Sequence, residues 1–475
     1  MIRLIKNELV KIFSKKSFYI ILLVIFGLII FQNINFRSYY YEEWSEMEEE
    51  LYNLQLSMMG INTNSYSGAM DFAYTAVKQD LLEDISDTYG NESWQAYVIL
   101  RDSEYIAYNI YYDYYLAQNF EDELSYFDFE LNDEDKLLVP DKEQATAKYN
   151  ELNEIFSSND WRAFAKMQLS YLLEEKHDLD YILTSEYTPD LQNQIYKIET
   201  DIEVINTRLD KNIPFAYDYL NDAIDNYKYA KCEIYKIDND TTRENTYENQ
   251  KEYQNLVETF EKSNYIIQNK LDTENKDTTR YKLSSTFESS NQQLFILAII
   301  VYISATIVSE EINNGTIKQL LTKPNNRLKI LLSKLITCFI MIIFASILIP
   351  FMVYIANALF NETESLRIPM IMYNFSTSTL MEMDMIKYLF IQFLSKLPLF
   401  IYISGKYLIE LTSNNISILK FLPTTGWELN NVLFGRLHEF EGITLNFSLI
   451  VFFIYFILLL LISFIHFTRA DIKNQ

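Results

Sequence analysis

Uncharged and charged stretches alternate along this chain on the scale of whole domains. Ser17–Phe36 carries no charged residue over 20 positions, Ser289–Val308 none over 20, and Leu335–Asn361 none over 27. A further apolar run covers 442–468. At ~1.5 Å per residue, each can cross a hydrocarbon core about 30 Å thick. The pattern predicts membrane-spanning helices at 17–36, 289–308, 335–360 and 442–468. Another apolar stretch, Tyr388–Leu408 within 386–410, is broken by Lys396, Pro398 and Lys406. Two arrangements fit it: an interfacial or re-entrant segment at 386–410, which leaves four spans, or a broken hairpin over 374–420, which gives six. Irregular backbone at membrane depth persists only against protein or water, and this favours the interfacial or re-entrant form. Lys396 is the candidate pathway residue, because a cation inside a span is costly and often functional. Snorkelling from an interfacial helix fits the same lysine.

The N-terminal pattern differs. In Met1–Lys16, Ile2, Ile5, Leu9, Ile12 and Phe13 recur at roughly helical spacing among Arg3, Lys6, Lys11, Lys15 and Lys16. This predicts a basic amphipathic helix over 1–16 suited to the headgroup region; the same residues fit a plain topogenic flank. No small-residue cleavage site follows the first apolar run, so 17–36 is read as a retained span entering from the cytoplasm. Ser309–Lys334 lies between two apolar runs and holds five basic residues, Lys318, Lys323, Arg327, Lys329 and Lys334. By the positive-inside rule this loop is cytoplasmic.

Residues 38–288 read as one large helical domain. Turns favour Gly and Pro, and this stretch has only Gly60, Gly68, Gly90, Pro140, Pro189 and Pro214. Helical stripes appear at Trp161, Phe164, Met167, Tyr171 and Leu172, at Ile195, Ile198, Ile202, Ile205 and Leu209, and at Tyr217, Leu220, Ile224 and Tyr227. Asp238–Glu248 is the clearest loop. The tyrosines Tyr39, Tyr40, Tyr41, Tyr105, Tyr108, Tyr111, Tyr112, Tyr114 and Tyr115 fit two readings. One is an aromatic, acidic surface for cationic amphipathic molecules. The other is ordinary packing by a residue with an apolar body and a polar tip.

Charge sharpens the division. Residues 38–288 hold 53 acidic and 21 basic side chains, a net of −32, whereas the remainder holds 12 acidic and 19 basic, a net of +7. A phosphate backbone is repelled by such an acidic surface, which argues against a nucleic-acid partner. Cys232 and Cys338 fall in the acidic and apolar parts respectively, so no disulfide between them is expected. His177, His438 and His466 are scattered and suggest no metal site. No Ser/His/Asp or Cys/His set stands out, and the chain has no GxxxxGK[ST] phosphate loop.

The segment at 309–334 has a more specific pattern. Glu310 and Glu311 follow the second apolar run; Gly315, Thr316, Lys318, Arg327 and Lys334 come after them, with Lys334 opening the third run. This resembles the permease subunits of type 2 ABC transporters, the ATP-binding-cassette exporters. Asn159-Asp160-Trp161-Arg162, Arg208–Tyr227, Ile416–Gly435 and Phe467–Ile472 are also similar to segments of bacterial members of that family. The resemblance implies an all-α fold: a polytopic helical bundle with a large acidic extracytoplasmic domain (38–288) inserted between its first and second spans, and a membrane bundle over 289–475. It implies a multi-pass protein of the cell membrane, with 309–334 as a coupling helix that docks on a separate ATPase.

The same resemblance implies two ATPase subunits that carry ATP and magnesium, a second permease copy or paralogue, and the lipid bilayer as partners. No cofactor is expected on this chain, which is not itself expected to be an enzyme. The cargo would be an amphipathic substrate: an antimicrobial peptide, a drug or a lipid-like compound. The alternative is a membrane-anchored sensor or scaffold whose outer helical domain binds a ligand or protein without transport. The chain departs from the family between Phe400 and Ile416, where a longer apolar pair is expected.

Overall fold

The computed structural model describes residues 1–40, 46–61, 66–101, 106–125, 140–185, 187–240, 242–271, 301–307, 327–359, 369–388, 434–437 and 442–469, together with 295, 298, 299, 367, 391 and 421. They are mostly helical. In chain order the helices are α1 (Ile2–Phe13), α2 (Lys16–Tyr40), α3 (Glu46–Met58), α4 (Tyr66–Tyr89), α5 (Trp94–Arg101), α6 (Ile106–Ser125), α7 (Lys142–Ser158), α8 (Trp161–Ser185), α9 (Pro189–Lys211), α10 (Tyr219–Asn239), α11 (Tyr247–Asn269), α12 (Arg327–Ala358) and α13 (Leu445–Arg469). Residues 301–307 are also helical. Two strands, β1 (Met370–Asn374) and β2 (Thr379–Met383), form an antiparallel pair.

The chain divides into two compact units. One comprises 41–244 and 255–271; the other comprises 1–40, 245–254 and 272–475.

The helical unit at 41–244 and 255–271 has its own core. Leu82, Ala96, Val98, Ile99, Ala107, Tyr108, Phe164, Ala165 and Leu172 are its most deeply buried members. The periodic stripes end up there: Phe164, Met167 and Leu172 are buried on α8, Ile195, Ile198 and Ile205 on α9, and Ile224 and Tyr227 on α10. Local signals set the helix ends. Asp141 caps α7 by accepting from the Gln144 amide, and Thr188 caps α9 by accepting from the Leu191 amide, with Pro189 in the first turn. Asp218 caps α10 through the Leu220 and Asn221 amides. Asn159 and Asn212 end α7 and α9 in the left-handed conformation, at φ 55° and 54°.

The run Asn159-Asp160-Trp161-Arg162 is therefore a helix-to-helix corner. Asn159 stops α7, and the Asp160 carboxylate accepts from the Arg162 and Ala163 amides to start α8. The tyrosines pack. Tyr108 is fully buried and donates its hydroxyl to the Tyr74 carbonyl at 2.5 Å, Tyr111 and Tyr112 lie against the core, and Tyr114 stacks on Tyr149. Burial, reinforced by neighbouring Tyr149, pushes the Tyr111 hydroxyl up to about 12. Tyr41 and Tyr105 lie outside the described residues, as do the side chains of Tyr39 and Tyr40.

In the other unit, α12 and α13 are long and apolar enough to cross a membrane, over Lys329–Ala356 and Asn446–Ile465. The bent pair α1 and α2, with an angle of 62° between them, makes a third candidate. On α13, Phe453, Ile454, Ile457, Leu458, Leu459 and Ile462 are all exposed. A helix apolar all round suits lipid. The expected spans at 335–360 and 442–468 correspond to α12 and α13. Helix α12 starts earlier than expected, so Lys334 lies inside a helix. Half of the expected span at 289–308 lies outside the described residues, as does most of 386–410, and the described 301–307 are helical.

The β-hairpin is an element that the apolar runs did not signal. Asn374 shapes its turn, its side-chain oxygen accepting from the Ser376 amide and its backbone oxygen from the Thr377 amide. The Phe375 amide donates to the Phe434 carbonyl at 2.8 Å, which holds 434–437 against the turn. The next residue, Gly435, has φ +67°, and a Cβ there would sit 2.8 Å from the Ser376 backbone nitrogen. Gly435→Ala is therefore expected to lose about 1–2 kcal/mol from the left-handed backbone alone, and more from crowding. Thermal unfolding of the purified protein checks this; an unchanged melting temperature would mean the contact is dispensable.

Candidate functional site

The N-terminal helix, helical residues 301–307 and the start of α12 converge on one buried ion pair. Lys334 Nζ lies 3.4 Å from Glu8 Oε1 and donates to the Ile307 carbonyl at 3.0 Å. Both charged side chains are about 8% exposed. Glu8 also meets Lys11, at 3.4 Å, one helical turn later. Buried charges are tolerated when paired and hydrogen-bonded in this way.

Aromatic and hydroxyl contacts fix the same corner. Phe13 meets Phe18 and Phe344 edge-on, with centroids 5.6 and 5.5 Å apart. Tyr19 donates its hydroxyl to the Phe13 carbonyl at 2.9 Å and clasps the bend between α1 and α2. The Ser17 and Tyr302 hydroxyls lie 2.5 Å apart, joining the start of α2 to residues 301–307. Helix α1 thus turns Glu8 and Ile12 inward and leaves Ile2 and Val10 exposed. All three chain segments that border 309–334 and the N-terminus are cross-tied at one place.

Among the sequence-predicted site residues, only Lys334 has a described side chain. Arg327 opens α12, with its backbone described. Glu310, Glu311, Gly315, Thr316, Lys318 and Lys396 lie outside the described residues. Glu8 is the residue that the sequence reading missed. The signal was present: it is the only acidic residue in Met1–Lys16, placed one turn before Ile12 on the inward face.

A second charge cluster, centred on the buried Arg208 and Asp201, lies in the helical unit. Arg208, 3% exposed, donates to Asn221 Oδ1 at 2.5 Å and lies 4.4 Å from the centre of the Phe215 ring. Lys228 meets the fully buried Asp201 at 2.5 Å, and Arg101 meets Asp222 at 2.9 Å and Asp225 at 3.8 Å. Tyr97 donates to Asp225 Oδ2 at 3.2 Å. Burial raises the Asp225 carboxyl above its ordinary range, although Lys228, Arg208 and Arg101 pull the other way. Burial and then Asp225 push the Tyr97 hydroxyl up. The cavity these residues line is about 10 Å³, water-sized at most. The cluster is a structural network rather than a ligand pocket.

Among the described residues no group of three or more His, Cys, Asp and Glu side chains is placed to hold a metal. Cys232 and Cys338 are both free.

The family model described as "Protein of unknown function (DUF2705)" matches residues 256–473. That range begins within α11 and takes in the ion-paired Lys334, α12, the hairpin and α13. No curated protein and no solved structure matches the chain. The class that fold and site define is a mostly helical protein with two or three helices apolar enough to cross a membrane.

Proposed function

We propose that this chain is the permease subunit of an ATP-driven ABC exporter, with 309–334 as the segment that docks on a separate ATPase. The observation that carries this reading is the Lys334 tie. Lys334, in the first turns of α12, joins residues 301–307, the start of α12 and, through Glu8, the amphipathic helix α1. A push on such a loop reaches three membrane-side elements at once instead of dissipating in one. Packed elements of this kind transmit small displacements because they move as units.

In this reading the protein is a multi-pass component of the cell membrane, with 38–288 outside and 309–334 in the cytoplasm. Two ATPase subunits bind ATP and magnesium, and a second permease copy or paralogue completes the pathway. Lys396 is the candidate pathway cation. The cargo is amphipathic: a cationic antimicrobial peptide, a drug or a lipid-like compound. The net charge of −32 on 38–288 favours cationic cargo, which it would attract over a Debye length of ~8 Å in physiological salt.

The test is affinity capture from mild detergent with the native chain and with Glu310→Ala/Glu311→Ala, probing for an ATP-binding-cassette subunit. Capture by the native chain and loss in the double variant is the expected result. A chain captured alone, or with a partner indifferent to the two substitutions, sinks the exporter reading. ATPase activity of the captured complex that ignores cationic peptides removes that class of cargo.

A further inference from the structure

We infer that the β1–β2 hairpin is a thioether site for a soft monovalent cation, Cu(I) or Ag(I). Residues 370–385 contain five of the chain's 13 methionines: Met370, Met372, Met381, Met383 and Met385. The strand register pairs Met370 with Met383 and Met372 with Met381. Directly opposed residues of an antiparallel pair share a face, and so do residues two apart on one strand. Four methionines therefore occupy one face of a two-stranded ribbon, in two opposed pairs. The other face carries Ile371 and Tyr373 opposite Glu382 and Leu380, so the methionines are sorted to one side.

The placement suits a soft ion. Opposed Cβ atoms lie about 4.5–5.5 Å apart, and each sulfur rides on three rotatable bonds, so the two cross-strand pairs can converge on one ion held over this face of the ribbon. Met372 and Met383 are buried, 9% and 2% exposed, while their partners Met381 and Met370 are half-buried. Met372 and Met383 thus belong to the apolar cluster and Met370 packs against it, while Met381 is half-buried outside it. Asn374 Nδ2 approaches Met381 Sδ at 3.7 Å, which orients one thioether. Thioethers bind Cu(I) and leave hard divalent ions to oxygen ligands. This inference stands on the register of the hairpin and is independent of the exporter reading.

The experiment uses the full chain purified in detergent. Cu(I), held reduced by ascorbate, is titrated against a chromophoric Cu(I) chelator, and Ag(I) is titrated as a redox-silent substitute. The variants are Met370→Leu/Met383→Leu, Met372→Leu/Met381→Leu and the quadruple change, with Met341→Leu on α12 as control. The native chain and the control are expected to bind one equivalent. The quadruple variant is expected to bind about 100-fold more weakly or worse, since loss of even outer-shell partners costs 10–100-fold. Metal-edge absorption on the Ag(I)-loaded native chain is expected to give a sulfur-only shell, a readout that needs no variant to fold. Absence of stoichiometric binding by the native chain, equal affinity in the quadruple variant, or a shell of nitrogen or oxygen overturns the site.

Discussion

Glu8→Leu alone is expected to lower the stability of the chain by about 3–5 kcal/mol, and Glu8→Leu/Lys334→Met together by much less. The single change takes the Glu8 carboxylate away from a lysine that is 8% exposed and bonded to the Ile307 carbonyl. An uncompensated buried charge is costly, whereas two apolar side chains of similar volume in place of a buried pair are often neutral. Lys11, about half-exposed, can turn to solvent when Glu8 is lost. Thermal unfolding of the four purified proteins gives the coupling directly. If the double variant loses as much as the two single ones combined, the pair is not coupled and the tie is incidental. The double variant also separates folding from transmission. It should fold, yet under the exporter reading its partner's ATPase should respond poorly to cargo, because α1 no longer follows Lys334.

Long-period features of the fold were legible in the sequence, and features built from single contacts were not. The stripes at Phe164, Met167 and Leu172 and at Ile195, Ile198 and Ile205 became core because repetition every three to four residues leaves a helix one face to bury. Of the loop expected at Asp238–Glu248, only the middle separates α10 from α11, both helices running into its ends; Asp240, Thr242 and Asn245 there favour local hydrogen bonds over helix. The hairpin escaped notice because Met370–Met383 carries neither β-branched alternation nor a two-residue Asn-Gly or Asp-Gly turn. Its turn relies instead on Asn374 bonding and on the close approach of Gly435. Of the site, Lys334 was found as a charge at a boundary. Its partner Glu8 is 326 residues away, a separation at which sequence periodicity carries no information. The −32 region read as an acidic surface, and so its buried charges, Asp201 and Arg208 above all, had no signature in a count of charges.

Those buried charges give the other large expected effect. Arg208→Met should cost about 3–5 kcal/mol, as expected for one member removed from a buried charge network. The methionine keeps much of the volume beside Phe215 but loses the hydrogen bond to Asn221 and the charge facing Asp225. A second readout follows from pH. The Asp225 carboxyl is raised in the folded chain by burial, so in the window above its unfolded value of about 3.9 the folded state holds the proton more tightly than the unfolded one. Stability from this group is then greatest below that window and is lost as pH rises through the raised value. Arg208 works against the rise. Removing it should carry the raised value further up and extend the loss to higher pH, and Arg208→Met/Asp225→Asn should abolish the extension. Tryptophan fluorescence follows unfolding here, because Trp94 and Trp161 both pack in this core. A variant within about 1 kcal/mol of the native chain at every pH, inside the range of ordinary surface changes, would mean that water reaches the cluster and screens it.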